Sequence, residues 1–184
     1  MGKLPCIETD QGYLSETNAI LEYLEDTQPS PPLLPADPFA RAKVREIMKV
    51  LELYIELAAR RHYGEIFFGA PRSQAAFDEV RPVLENGLKA LKQLGTFTPY
   101  IAGVEFTAAD IMAAYSFCYA APVAQAIYGW DIIAEVPGLQ GALDATHARE
   151  VGAKIASEHQ AAVAFKRRSN RGQLSDEITA GPRR

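Results

Sequence analysis

The sequence contains little that could form a disulfide framework or a metal centre. Its 184 residues include two cysteines, Cys6 and Cys118, and three histidines. Two thiols are too few to staple a secreted fold, and no C-x-x-C pair is present. The histidines are far apart in the chain and lack the short spacing of metal ligands. The sequence therefore predicts a protein of a reducing compartment, the cytoplasm, that holds no metal.

Long apolar runs and basic clusters are also scarce. The N-terminus has no apolar segment of the kind found in secretory signal peptides. Residues 111–130 carry no charge, but Pro122 and three tyrosines make them poorly apolar, so a buried core helix is predicted there instead of a membrane span. The net charge is −4, and the basic run at 166–168 (KRR) is typical of a solvated helix end. Neither nucleic acid nor a membrane is an expected partner.

A proline-rich stretch divides the chain. Residues 29–36 contain four prolines and no helical periodicity, which is typical of a stiff linker. The division predicts an N-terminal segment at 1–28 and a helical domain at 37–168. Residues 169–184 are polar and contain glycine, so they are predicted to form a disordered tail.

The segments after the linker have helical periodicity. Asp37-Pro38 is an N-cap followed by proline at the first helical position, and an apolar stripe extends this helix to about residue 63. Residues 64–73 (GEIFFGAPRS) are predicted to form an aromatic loop. The next helix contains Pro82, whose missing backbone donor predicts a kink or a late start.

A capping-box pattern precedes the uncharged helix. In Thr107-Ala108-Ala109-Asp110, the Thr107 hydroxyl and the Asp110 carboxylate can satisfy each other's backbone amides. Pro122 is predicted to end or bend the helix that follows. A further helix is predicted to begin near Leu139.

The N-terminal residues combine several local signals. Residues 3–9 are predicted to form a strand with an internal Pro5, and Asp10-Gln11-Gly12 a turn to a second short strand. A helix follows that opens with Glu16-Thr17, because apolar residues recur there at helical spacing.

Leu4-Pro5, Glu16-Thr17 and the Thr107/Asp110 box, in this order, resemble glutathione S-transferases. The resemblance covers the chain to about residue 168. It implies a mainly α fold, in which an all-α C-terminal helical domain is preceded by a β-hairpin and a helix left from a thioredoxin-like domain. In that family a strand–helix–strand with a sulfur-activating Tyr, Ser or Cys comes first. This sequence has no counterpart of it, which predicts an N-terminally truncated chain with weak glutathione binding and little transferase activity.

The resemblance assigns glutathione, as co-substrate, to Leu4, Pro5, Glu16 and Thr17. It implies that the Leu4 backbone pairs with the cysteinyl amide, next to a cis Pro5. The γ-glutamyl end of glutathione is a zwitterion, so Glu16 can pair with its ammonium. The Thr17 hydroxyl and the first amides of the helix can hold its carboxylate.

Two alternatives concern these same residues. Ser15, Glu16 and Thr17 could simply cap the helix, without any ligand. Cys6, beside Pro5, suggests thiol chemistry, but a small buried strand residue is the favoured interpretation.

In this family a pocket for a small hydrophobic electrophile lies between the domains, and the resemblance also implies a homodimer. Candidates on the helical side are aromatic, although an aromatic at helical spacing is more often part of a core: Tyr54, Phe67, Phe68, Tyr115 and Trp130. Two function classes stay open. One is an enzyme that conjugates or reduces electrophiles with glutathione, and the other is a non-catalytic binding or assembly module.

Overall fold

The structure, a computed structural model, describes residues 4–159 and 161. Its described residues are mainly α-helical, with one two-stranded antiparallel sheet, which confirms the predicted fold class. One compact unit ends at Thr146 and a second begins at His147. The predicted tail at 169–184 lies outside the described residues, and the predicted domain boundaries stay predictions.

Two strands and a helix come first in the chain, and further helical segments follow. Their bounds are β1 (Cys6–Thr9), β2 (Gly12–Ser15), α1 (Thr17–Thr27), α2 (Pro38–Val50), a π-helical segment (Leu51–Glu56), α3 (Leu57–Arg60), α4 (Tyr63–Phe68), α5 (Gln74–Leu94), α6 (Ala108–Tyr128) and α7 (Leu139–His147). In the second unit, residues 150–159 are helical.

The hairpin forms where its turn residues predict it. Cys6 pairs with Ser15 and Thr9 with Gly12, whose φ of 130° suits a glycine at the turn. The expectation that Cys6 is buried is wrong. Cys6 and Glu8 lie on the exposed face of β1, whereas Ile7, between them, lies on the half-buried face.

The proline-rich linker is fastened to the helices on both sides of it by one carboxylate. Glu25, in α1, is buried and accepts hydrogen bonds from the backbone amides of Leu33 (2.8 Å) and Leu34 (3.2 Å). Arg41, in α2, lies 3.5 Å from the same side chain. Because buried amides need acceptors, this carboxylate holds the linker in place.

The region after the linker differs from the predicted pattern at two points. The first long helix ends at Arg60, about one turn earlier than predicted, and contains the π-helical segment. The predicted loop at 64–73 is wrong in its first half, where α4 forms. Tertiary packing explains this, because Tyr63 and Phe67 of α4 both contact Tyr119 of α6.

Both internal prolines lie inside continuous helices. Helix α5 begins at Gln74, where the Ser73 hydroxyl accepts from the Ala76 amide at 3.2 Å, and continues through Pro82, so a late start is wrong. Helix α6 likewise passes Pro122, so the prediction that the helix ends there is wrong. Each helix has enough packed residues on both sides of its proline to offset one missing hydrogen bond.

The core lies where α2, the π-helical segment, α5 and α6 meet. Its largest fully buried side chains include Ile47, Leu51, Ile55, Leu84, Leu91 and Val123. Residues 111–130 contribute to this core as predicted. The described helices include none with the length and apolarity that a bilayer span requires.

Candidate functional site

The first helix begins in an unusual backbone conformation. Glu16 is the N-cap of α1 and has φ 75° and ψ 121°, a region that residues other than glycine rarely adopt. Such conformations cost about 1–3 kcal/mol and are enriched at binding sites. In the described structure no side chain caps the helix. Glu16 is itself exposed, and its carboxylate makes no capping hydrogen bond.

Two complementary charges meet at this helix end. The first amides of α1 have no acceptor within the helix, and the helix dipole adds partial positive charge. Thr17 is the first residue of the helix, and Glu16, which carries a carboxylate, precedes it as the N-cap. An anion-binding end next to a carboxylate suits a ligand that carries both an ammonium and a carboxylate.

The strand register brings the other predicted ligand residues to the same end of the hairpin. Cys6 pairs with Ser15 at the end of the hairpin away from the turn, and Pro5 and Glu16 are the next residues beyond this pair. Leu4 is 91% exposed, and the Leu4–Pro5 peptide bond is cis, as predicted. The four residues assigned to glutathione thus all adjoin the Cys6–Ser15 end of the hairpin.

Helix α1 is joined to the helical region by polar contacts beside this site. The Asn18 amide donates to Glu52 of the π-helical segment at 2.8 Å, and Lys49 donates to the same oxygen at 2.7 Å. Glu22 forms a two-pronged ion pair with Arg45, which lowers the pKa of the Glu22 carboxyl. These contacts border a cleft of about 240 Å³ lined by Asn18, Ala19, Glu22, Arg45, Met48 and Lys49.

An aromatic wall forms between α4 and α6. Tyr63 lies 5.3 Å from Phe67 and 5.8 Å from Tyr119, and Phe67 lies 6.1 Å from Tyr119, measured between ring centroids. Phe67 is 37% exposed and Phe68 is 70% exposed, so this wall faces solvent in part. Tyr115 is exposed one helical turn before Tyr119.

The remaining two electrophile candidates lie elsewhere. Tyr54 is half-exposed on the π-helical segment, opposite Gly87 of α5. Trp130 follows the end of α6, where its indole donates to Glu135 at 2.9 Å and Arg81 stacks on its ring at 5.2 Å. Nine residues of helix, about 14 Å, separate Tyr119 from the end of α6. The structure therefore does not bring Trp130 to the aromatic wall.

Tyr63 and Tyr119 of the aromatic wall are not among the residues predicted from the sequence to line the electrophile pocket. The i, i+4 spacing of Tyr63 and Phe67 is the signal that could have found the first, had α4 been predicted. The Tyr63 hydroxyl lies 3.3 Å from Glu56. Burial, and then the charge of Glu56, raise the pKa of Tyr63, so its phenol stays protonated and can donate a hydrogen bond at neutral pH.

Among residues 4–159 and 161, no group of three His, Cys, Asp or Glu side chains lies close enough together to hold a metal ion. The N-terminal end of α1 offers donors and an acceptor that suit an organic zwitterion. The aromatic wall between α4 and α6 offers a surface for an apolar group.

Comparison with known proteins gives the chain its family. No family model matches the sequence. A glutathione S-transferase from Pseudomonas putida is 41% identical over 162 residues, which cover 88% of this chain and 74% of that protein.

Solved structures agree with this relative. A glutathione S-transferase from Methylobacterium radiotolerans in complex with glutathione sulfonate superposes with a TM-score of 0.67 and 27% identity, over 83% of this chain and 71% of that one. A maleylacetoacetate isomerase from Methylobacterium extorquens with bound malonate and glutathione gives a TM-score of 0.62 and 27% identity, over 83% and 72%. The chain therefore belongs to the glutathione S-transferase family.

Proposed function

We propose that Glu16, Thr17 and the Leu4 backbone bind glutathione as a co-substrate, and that the aromatic wall binds a small electrophile. The observation that carries the proposal is the positive φ of Glu16, the N-cap of α1, whose carboxylate makes no capping hydrogen bond and is left for a ligand. Solved relatives with bound glutathione sulfonate or glutathione support it. A cytoplasmic homodimer is part of the same proposal.

In this proposal, each group at the site has one task. Glu16 pairs with the γ-glutamyl ammonium, and Thr17 with the first amides of α1 holds the neighbouring carboxylate. The chain thereby orients the sulfur of glutathione toward the electrophile. Only the thiolate attacks, and the unperturbed thiol pKa is about 8.5. The resemblance assigns stabilisation of this thiolate to a Tyr, Ser or Cys residue.

The aromatic wall suggests which electrophiles fit. Phe67 and Tyr119 offer apolar ring surface, whereas the single hydroxyl hydrogen of Tyr63 is donated to Glu56. An electrophile with an apolar or aromatic body suits this surface. Conjugation of such compounds with glutathione is the favoured reaction.

A second candidate is glutathione-dependent isomerisation. The name of the Methylobacterium extorquens relative favours it. In this reaction the sulfur of glutathione would add to a cis double bond at the same site and then be eliminated. Unlike conjugation, isomerisation would therefore regenerate glutathione. Incubation with a cis-butenedioyl ketone distinguishes the two, because conjugation consumes one glutathione per product and isomerisation consumes none.

The binding test uses glutathione and its des-amino analogue, which lacks the γ-glutamyl ammonium. Titration calorimetry should show that the chain prefers glutathione, and that Glu16→Gln removes a roughly tenfold preference, since a charge-assisted hydrogen bond is lost. Glu46→Gln is the matched control, because Glu46 is an exposed glutamate paired with Lys43 on α2. Equal affinity of the chain for both ligands would refute the assignment of Glu16.

A further inference from the structure

A buried histidine lies at the base of the aromatic wall. His62 follows α3 and precedes α4, and its side chain is fully buried. Its Nε2 lies 3.0 Å from the hydroxyl of Tyr128, the last residue of α6. That hydroxyl lies 3.1 Å from the Phe77 carbonyl oxygen of α5. One imidazole thus joins the start of α4 to two other helices.

These contacts assign the tautomer of His62. A carbonyl oxygen can only accept, so the Tyr128 hydroxyl donates its hydrogen to Phe77. The same hydroxyl must then accept from Nε2 of His62, which places the imidazole hydrogen on Nε2. In the neutral ring Nδ1 is therefore a bare acceptor.

This bare nitrogen faces a second acceptor. Nδ1 of His62 lies 3.7 Å from Oε2 of Glu65, one turn into α4. Both atoms are buried, and neither has a hydrogen-bond partner among the described residues. Two buried acceptors that face each other without a donor are unfavourable, because each has lost its hydration.

We propose that His62 and Glu65 form a proton-controlled contact that fastens α4. Uptake of one solvent proton by Nδ1 converts the two facing acceptors into an Nδ1–H···Oε2 hydrogen bond between an imidazolium and a carboxylate, and no other bond changes. Helix α4 carries Tyr63 and Phe67, so the contact controls how firmly the aromatic wall is held. The inference does not depend on glutathione binding.

The charges around His62 decide when this proton binds. Burial has the largest effect and lowers the pKa of His62, the Glu65 carboxylate and then the Ala76 backbone raise it, and Arg61 lowers it further. The net pKa lies below the ordinary value, so the contact lacks its proton at neutral pH. Three groups face this pair from neighbouring elements. Glu79 of α5 pairs with Arg61 at 2.7 Å, Arg72 lies 4.0 Å from Glu65, and the Tyr128 phenol of α6 contacts Nε2 of His62.

The sign of the pH effect follows from this direction. An imidazole whose pKa is lowered in the folded state takes up its proton less readily than in the unfolded chain. His62 therefore reduces stability as the pH falls through about 6.5 toward its folded pKa. Glu65 limits this loss, because it stabilises the imidazolium.

Glu65→Gln tests the contact. The glutamine amide can donate to the bare Nδ1, but it offers no negative charge to an imidazolium. At pH 8 the variant should melt about 2–4 °C above the parent chain, because two facing acceptors become a hydrogen bond. Toward pH 5 this advantage should shrink and reverse. Glu46→Gln, the same change at an exposed glutamate of α2, should show no reversal.

NMR provides an independent readout. Replacing the other two histidines, by His147→Gln and His159→Gln, identifies their imidazole signals, so that the remaining signals belong to His62. We expect the Nε2–H tautomer at pH 8, and a His62 pKa that falls further in Glu65→Gln. An Nδ1–H tautomer, an equal or lower melting temperature of Glu65→Gln at pH 8, or parallel melting curves across pH would overturn the proposal. An equal melting temperature would mean that solvent already supplies the missing donor.

Discussion

The side-chain amide of Asn18 donates a 2.8 Å hydrogen bond to Glu52, which lies 34 residues further along the chain. Asn18 is in the first turn of α1, next to Glu16 and Thr17, and Glu52 is in the π-helical segment. The bond is partly buried, so the N-terminal end of α1 is connected directly to the π-helical segment, whose Leu51 and Ile55 belong to the core.

This connection should be measurable as a coupling energy. In a double-mutant cycle of Asn18→Ala and Glu52→Ala, we expect about 1 kcal/mol of coupling in the free energy of unfolding, measured by urea denaturation. Asn18→Ala combined with Glu85→Ala is the control, because Glu85 pairs with Arg81 on α5. Strict additivity in both cycles would show that the bond does not form in solution.

Gly87 is expected to be intolerant of any side chain. A Cβ there would lie 2.8 Å from Cβ of Tyr54 and 2.9 Å from Cδ1 of Ile55, where α5 crosses the π-helical segment. Gly87→Ala should therefore destabilise the protein by about 1–3 kcal/mol in denaturant unfolding, despite the better helix propensity of alanine.

Gly141 provides the matched control for that substitution. It lies inside α7, and a Cβ there meets no atom within 4 Å. Gly141→Ala should raise stability by about 0.5–1 kcal/mol through helix propensity alone. Similar effects of the two substitutions would contradict the close crossing at Gly87.

Asp110 should be much more important for stability than an exposed aspartate that makes the same kind of contact. Its buried carboxylate accepts from the backbone amides of Ile101 and Thr107, both at 2.8 Å. Asp110→Ala should cost about 3 kcal/mol in thermal or urea unfolding, because two buried amides lose their acceptor. Asp131 also accepts from two amides, at 3.1 Å, but is exposed, so Asp131→Ala should cost less than about 1 kcal/mol. Equal losses would mean that burial of the capping box is unimportant.

The hairpin is expected to be the least protected region in hydrogen exchange. Two strands alone are marginally stable, and the described sheet has only β1 and β2. Amides of 4–15 should exchange fast, and those of 44–60 and 108–121 slowly, because the latter helices form the core. Equal protection of all three regions at every protein concentration would contradict this expectation, whereas protection of the hairpin that rises with concentration would indicate a partner on its edge.

Features set by neighbouring residues could be predicted from the sequence. The capping box of α6 is present, because the Thr107 and Asp110 groups that form it are three residues apart. The turn at Gly12 and the cap at Asp37 are local in the same sense, and both form where predicted. The Ile101 amide that Asp110 also binds could not be predicted, since it belongs to a loop nine residues away.

Features that depend on distant contacts were missed. Helix α4 contains Gly64 and is short, so its own propensity does not indicate a helix, and its contacts with Tyr119 stabilise it instead. Likewise, the pairing of His62 with Tyr128 spans 66 residues, so no local sequence pattern indicates it. The positive φ of Glu16 has no sequence signal, because glycine or asparagine would be the expected residue.

The π-helical segment has a consequence for aligning this chain with its relatives. Each turn of a π-helix contains about one residue more than a turn of α-helix, and the flanking helices continue without a break. A relative with a regular α-helix here would leave one residue of Leu51–Glu56 unmatched. A gap in the middle of this helix would then mark a true one-residue insertion, absorbed by the backbone without a loop.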